Sequence, residues 1–320
     1  MSKQHKSLLK DKTFGHIVAG IFFVLIGYGF FNAATNMNYI WKWTSVPKYF
    51  AYEKSTNIEA PFDGVVSVKE NSITIRGEDD SKVLNTEGFA TEVESGDEVF
   101  EGDVVASQVS WVAGPLIVGL GVTLKISGFS AILALLIGTL IAFMRISSYQ
   151  FLNDIGAVYV AIIRGTPLLV QIFIFYFIVA TIFELERFLA GALSLGIFFG
   201  GYIAEVLRGA IQSIDKGQHE AAKSLGMSYF QTMRMIIMPQ AIKRALPTLV
   251  GEMIALVKDS SLVSVISITD LTKVGREVVA NTFSPFETWL IVAAMYFSIT
   301  FILTFIGHRL EKKMKLQGGM

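Results

Sequence analysis

"HEAAKSLGMSYFQTMRMIIMPQ", residues 219–240, is a charged, helix-prone stretch set between apolar runs, and what it is decides what the chain is. Ser228 with Gln231 three residues on fits a capping box, in which the two side chains satisfy each other's backbone amides. Glu220 reads as part of the first turn of a preceding short helix, where a carboxylate meets the positive end of the dipole. Ala221 and Ala222 give that helix a small-residue face. Gly226 suits the left-handed conformation that stops it, and Pro239, with no amide proton to donate, ends or kinks the second helix. The stretch predicts two short helices joined at a fixed angle. A knob of this kind transmits force, whereas a loose loop absorbs it.

The flanking sequence belongs in a bilayer. Of 320 residues, 52% are hydrophobic, 17% charged and 25 are Phe, with a mean hydropathy of +0.53, too apolar for a water-soluble fold of this size. Six runs, 15–34, 116–144, 158–183, 189–213, 246–268 and 288–308, are long enough to cross about 30 Å of hydrocarbon. Basic residues flank them unevenly. Lys3, Lys6, Lys10 and Lys12 precede the first, Lys216, Lys223, Arg234, Lys243 and Arg244 follow the fourth, and Arg309, Lys312, Lys313 and Lys315 follow the last. All three clusters are expected in the cytoplasm, which an even number of crossings allows. Trp41, Trp43, Trp111 and Trp289 then fall at the outer interface. The first run also carries the basic flank and small residues, Ala33 and Ala34, of a cleaved secretory signal, but its length favours a retained span. A formal net charge of zero gives no sign of nucleic acid, and the absence of cysteine excludes disulfides, thiolate metal sites and cysteine catalysis.

Residues 51–108 are polar, acidic and turn-rich, with alternating runs such as "GVVSV" and "SITIR" that read as strands. The expected organisation is a cytoplasmic tail and first span at 1–35, an extracytoplasmic acidic β domain at 36–111, a five-span core at 112–310 containing the loop 214–240, and a tail at 311–320. The phrases "APFDGVVSV" and "VESGDEVFEGDVVA" resemble the half-motifs of biotinyl/lipoyl carrier domains, whose barrel-sandwich folds use Gly-Asp turns. Such carriers need a lysine after the second phrase, where "SQVSW" stands, so a swinging-arm cofactor is not expected. A generic β insertion with a solvated acidic surface is the other reading of this region.

Charges inside the runs form a second signal, because an ionisable side chain near mid-membrane costs about 2.5–3.5 kcal/mol and faces a cavity or a partner. Lys125 lies in the second run, Glu205 and Arg208 in the fourth, and Glu252, Lys258 and Asp259 in the fifth, followed by Ser260 and Ser261. Glu205 and Arg208, three apart, are placed to pair on one helix. The fifth run offers both charge signs and hydroxyls within about three helical turns, which suits a zwitterionic solute; a helix-packing role near the outer mouth is the alternative.

The pattern Glu220-Ala221-Ala222, Gly226, Ile236 and Pro239 resembles the EAA loop of bacterial ABC-importer permeases, with Met238 where the family usually has Leu. "RGTPLLVQIFIFYF" from Arg164, "YIAEVLRGAIQSI" from Tyr202 and "ALVKDSSLVSVISITDL" from Ala255 are similar to permeases of the polar amino acid uptake branch. The resemblance implies an all-α multi-pass bundle of the ABC type I importer permease kind, here with six spans and a small β domain between spans one and two. It implies that Glu220, Ala221, Ala222, Leu225, Gly226 and Pro239 dock on a cytoplasmic ATPase. It further implies two ATPase copies using ATP and Mg2+, a second permease chain in a homodimer or heterodimer, an extracytoplasmic solute-binding protein, a polar amino acid as cargo, and the bacterial inner membrane as location, with both chain ends cytoplasmic. No cofactor or metal is expected on this chain. It lacks the Gly-x-x-x-x-Gly-Lys-Ser/Thr loop and is not expected to hydrolyse ATP itself. For "RGTP", anchoring at the inner interface and initiation of the third span stand beside any part in coupling. A transferase or carboxylase subunit is disfavoured by the missing lysine and the lack of a catalytic cluster; a permease-like sensor or scaffold, or an importer of another small polar solute, is the alternative function.

Overall fold

The computed structural model describes residues 12–37 and 39–316. Lys3, Lys6 and Lys10 lie outside them, as do the side chains of Lys12 and Lys315. The described residues divide at Thr44/Ser45 into two compact units. The first holds α1 (Lys12–Asn36), whose apolar side chains, Phe22 to Leu25 among them, stay exposed as a lipid-facing span requires. Trp41 and Trp43, just beyond it, stack at 5.6 Å.

The second unit opens with a short helix, α2 (Pro47–Phe50), and a β domain of seven strands: β1 (Ala51–Glu59), β2 (Gly64–Lys69), β3 (Ser72–Arg76), β4 (Ser81–Asn85), β5 (Ala90–Thr91), β6 (Glu98–Val99) and β7 (Val104–Ala113). They form two antiparallel sheets, ordered β1-β7-β5 and β4-β3-β2-β6, and Val66, Ile73, Ile75, Val99 and Val105 are buried in a common core. The Gly-Asp phrases build a repeated turn. Asp97 accepts from the Glu94 amide and Asp103 from the Phe100 amide, each at 2.8 Å, while Gly96 and Gly102 take φ of +107° and +92°, open to glycine without strain. The long strands β1 and β7 run out of the domain as a ribbon, paired from Ala51↔Ala113 to Ile58↔Ala106. The β region thus reaches to Ala113, two residues past the expected boundary at 111.

The ribbon is anchored where it meets the helices. Gly114 donates its amide to Phe50 at 2.7 Å, and a Cβ at Gly114 would stand 2.4 Å from the Tyr49 carbonyl. Tyr49 is buried, its hydroxyl 3.0 Å from Ser284 Oγ.

The helical core comprises α3 (Pro115–Ile146), α4 (Gln150–Gly165), α5 (Leu168–Ile174), α6 (Ala180–Ile182), α7 (Arg187–Gln212), α8 (Lys216–Ser224), α9 (Tyr229–Thr232), α10 (Met238–Asp259), α11 (Leu271–Thr282) and α12 (Pro285–Leu316). α3 and α7 pack against each other through glycines. A Cβ at Gly138 would lie 2.7 Å from Ile203 Cβ and 2.9 Å from the Gly200 carbonyl, and one at Gly196 would lie 2.7 Å from Leu133 Cβ, the small-residue contact by which membrane helices associate. Gly138→Val is expected to lower stability by about 1–3 kcal/mol through overpacking. Gly121→Ala, which meets nothing within 4 Å, is the neutral control, both read as thermal unfolding of detergent-solubilised protein.

The six expected runs are not all straight apolar helices. By length and apolarity alone, four helices among the described residues pass as crossings, Thr13–Asn36, Pro115–Ile146, Arg187–Gln212 and Pro285–Met314, and a bent pair counted as one span makes a fifth. The run 158–183 is not one straight helix: Gln150–Gly165 and Leu168–Ile182 meet at 108°. Pro167 drives the preceding Thr166 into extended backbone. The buried Gln171 side chain then donates to the freed Ile163 carbonyl at 2.9 Å and to Thr166 Oγ1 at 2.7 Å, the condition under which a break survives at membrane depth. The run 246–268 is not one helix either. α10 starts earlier, at Met238, and ends at Asp259, followed by a 3₁₀ turn, Ser260–Ile266.

α11 was not anticipated by the apolar runs. The buried Asp270 caps it, accepting from the amides of Lys273 at 2.9 Å and Thr272 at 3.1 Å. Burial pushes the Asp270 carboxyl up, opposed by these hydrogen bonds and by one from Tyr296.

Candidate functional site

The loop after α7 is built as a rigid knob, by partly different means than expected. Glu220 is not in the first turn. α8 starts at Lys216, and its cap is Asp215, whose Oδ1 accepts from the Gly217 amide at 2.6 Å, so Asp215 rather than Glu220 answers the exposed amides. The other end closes as read. Gly226 takes φ +73°, its amide donates to Lys223, and that of Met227 to Ala222, at 3.0 and 3.1 Å, a Schellman turn. Ser228 and Gln231 then form the capping box reciprocally, at 2.8 and 3.3 Å.

Pro239 does not end the second helix. α9 passes through a π-helical turn, Met233–Ile237, directly into α10, with Pro239 in the first turn of α10. The widened turn absorbs the missing proline amide. The knob is therefore continuous with a core helix. Arg244 fastens its base, donating to the Ser213 carbonyl and, at 3.1 Å, to Ser213 Oγ. Of the residues singled out here, Glu220 and Ala221 are exposed, Ala222 is wholly buried, and Leu225 is 80% exposed, near exposed Tyr229 and Phe230. The face turned outward is thus Leu225 and its neighbours, while Ala222 fixes the helix to its own chain. Large apolar side chains exposed on a polar loop mark a surface that a partner covers.

A charge cluster stands where α3, α4 and α7 meet. Arg208 donates to both Glu205 oxygens, at 3.0 and 2.7 Å, and also to Gln212 at 2.6 Å. Arg145 and Arg164 approach the same carboxylate at 3.6 and 3.9 Å. Asn153 accepts from Arg145 at 2.7 Å, and the Arg164 guanidinium lies 5.3 Å over the Tyr202 ring. One carboxylate thus serves three guanidinium groups from three helices. The sequence pairs Glu205 with Arg208 by their spacing; Arg145 and Arg164 come from other helices, and no local pattern announces them.

α10 carries the remaining charges. Glu252 and Asp259, seven residues apart, are half-buried, and Glu252 lies within electrostatic range of both Asp259 and Arg164. Lys258 is exposed, and Pro247, Thr248 and Gly251 with it form an exposed stripe of small and polar residues. Ser261 is half-buried. Ser260 is buried, and its hydroxyl donates back to the Val257 carbonyl at 2.8 Å, which removes it from the set open to a solute. Lys125 on α3 is likewise exposed. Among the described residues no three His, Asp or Glu side chains group as metal ligands.

Comparison with known proteins places this architecture. Over 210 residues, 64% of this chain and 96% of the relative, the chain is 40% identical to the glutamine transport system permease protein GlnP of Escherichia coli (strain K12). It is 37% identical, over 62% of this chain and 91% of the relative, to the arginine transport system permease protein ArtQ of Bacillus subtilis (strain 168). Among solved structures, a chain of an amino acid ABC transporter crystallised with histidines matches with a TM-score of 0.58 and 39% identity, covering 62% of this chain and 94% of that one. The methionine transporter MetNI shares the fold, with a TM-score of 0.54 at 19% identity over 62% of this chain and 95% of that one. A family model spans residues 115–316, from the start of α3 to the end of α12. The chain belongs to the family of binding-protein-dependent transport system inner membrane components.

Proposed function

We propose that this chain is the membrane-spanning subunit of an ATP-driven importer of polar amino acids, with the knob of α8 and α9 as its contact to the ATPase. Family members are transport components, not enzymes, and membership implies an ATPase and a solute-binding protein as partners. What carries the cargo class is the likeness, across nearly the whole length of the relatives, to permeases of glutamine and arginine transport. The further assembly we propose is two ATPases, which bind ATP and Mg2+, and a second permease chain, same or different, in the bacterial inner membrane, with both chain ends and the loop 214–240 in the cytoplasm; this orientation has the polar-striped α10 cross as a sixth span beside the four long apolar helices and the bent pair. This orientation puts the β domain outside.

The exposed stripe of α10 supports both the second chain and the route. A lysine facing lipid at mid-membrane costs about 2.5–3.5 kcal/mol, so the faces bearing Lys258 and Lys125 belong against a partner chain or an aqueous path. Glu252, Lys258, Asp259 and Ser261 then supply the two charge signs and a hydroxyl that a zwitterion needs. Closure of the ATPases on ATP moves the knob, and its continuity with α10 passes that motion to the helix lining the route.

In the complex reconstituted with its ATPase and binding protein, Glu252→Gln and Lys258→Met are each expected to reduce amino acid-stimulated ATP hydrolysis about tenfold, the equivalent of about 1.4 kcal/mol. Undiminished stimulation in both variants would remove α10 from the route. Failure of every amino acid in a radiolabelled panel to enter vesicles holding the wild-type complex would favour a sensor or scaffold instead.

A further inference from the structure

Where the ribbon meets the helices, a cavity of about 1030 Å³ opens between the inserted segment and the core, at the upper end of the range for small-molecule sites. Its chemistry is mixed. From the insertion Lys48, Tyr52, Glu53 and Trp111 line it; from α11 comes Glu277, with Thr269 just before that helix. Glu53 and Trp111 are direct cross-strand partners on the ribbon, so a carboxylate and an indole stand side by side on one face. Glu277 shares its charge with Lys273 at 3.5 Å. Lys48 and Glu53 form no ion pair among the described residues.

We infer that this cavity is an entry site for a basic amino acid, held before it reaches the helical core. The ammonium of Lys48 matches the α-carboxylate. Glu53 and Glu277 match the α-ammonium and the basic end, and Trp111, on the same ribbon face as Glu53, offers a ring on which a guanidinium or ammonium stacks. The domain above has the same preference. Residues 51–113 contain 14 Asp and Glu against 4 Lys and Arg, a net charge of −10 over those residues, which raises the local concentration of cations and repels acidic solutes. The walls hold their geometry, because Gly114 and Tyr49 lock the root of the ribbon to the helices. The site rests on the reading of the chain as an amino acid importer and narrows its cargo to the cationic members.

The full chain in phosphatidylcholine nanodiscs, titrated with L-arginine while tryptophan emission is followed, tests the site. A saturable change is expected that disappears in Trp111→Phe, weakens about tenfold or more in Glu53→Gln/Glu277→Gln, and weakens in Lys48→Met; L-glutamate should give no response. An arginine response that survives Trp111→Phe, an affinity unchanged in the double variant, or no saturable response at all overturns the site. Amino acid-stimulated ATP hydrolysis by the assembled wild-type complex separates the two readings. If it is present while the nanodisc titration fails, only the entry site falls; if no amino acid stimulates it, the importer reading falls whatever the titration shows.

Discussion

Replacing Glu205 by alanine is expected to destabilise the helical core by about 3–5 kcal/mol, the cost of removing one partner from a largely buried charge network. The Glu205 side chain is 18% exposed, and Arg208, Arg145 and Arg164 all face it. Without it, three guanidinium groups from three helices confront one another with no carboxylate between them. Two keep a neutral acceptor, Arg208 in Gln212 and Arg145 in Asn153, and neither acceptor offsets like-charge repulsion in a low-dielectric interior. Glu205→Gln preserves shape and one acceptor oxygen, so its loss should be smaller. Arg164→Ala should be milder still, since that side chain is 46% exposed and sits farthest from the carboxylate. Thermal unfolding of the detergent-solubilised chain would show the order Ala below Gln below Arg164→Ala. Equal melting temperatures for Glu205→Ala and wild type would mean that the cluster does not hold the helices together.

This network also separates what is local in the sequence from what only the fold brings together. The knob was legible because its signals are local: Gly226 for a left-handed stop and Ser228 with Gln231 for a cap act within a few residues. Even there the conspicuous acid, Glu220, points to the wrong start, since Asp215 stands at the true N-terminus. The glutamate and arginine of α7 were legible as a pair by helical spacing. Arg145 and Arg164 were not, since each sits at the C-terminal end of its own helix, where basic residues ordinarily meet the inner interface.

The course of two of the spans is hidden for a different reason. Averaged over about 20 residues, 158–183 and 246–268 are apolar enough to cross, and averaging hides direction. In the first, the Thr166-Pro167 break was present in the letters. That it bends the chain by 108°, rather than starting a straight helix, depends on Gln171 satisfying the carbonyl it frees. In the second, the polar stripe through Gly251 and Lys258 shows only when the residues are placed on a helix that begins eight residues earlier than the hydropathy does, at Met238 instead of Leu246.

Gly226→Val is expected to uncouple the ATPase, with at least a tenfold loss of amino acid-stimulated hydrolysis and little change in the stability of the core. At φ +73° a β-branched residue is a conformational outlier costing about 1–3 kcal/mol, and nothing within 4 Å obstructs a Cβ there, so the penalty is confined to the backbone. The chain can relieve it only by giving up the Schellman hydrogen bonds from Gly226 and Met227. That releases α8 from its fixed angle to α9 and swings Leu225, the most exposed apolar side chain of the knob, away from its present direction. Asparagine tolerates the left-handed region, so Gly226→Asn should recover most of the coupling with the same gain in bulk, which distinguishes backbone geometry from mere crowding. Because the second half of the knob runs unbroken into α10, the proposed coupling has the angle set at Gly226 decide whether a push on Leu225 reaches Glu252 and Lys258. Wild-type stimulation in Gly226→Val would show that the motion enters the bundle by another path.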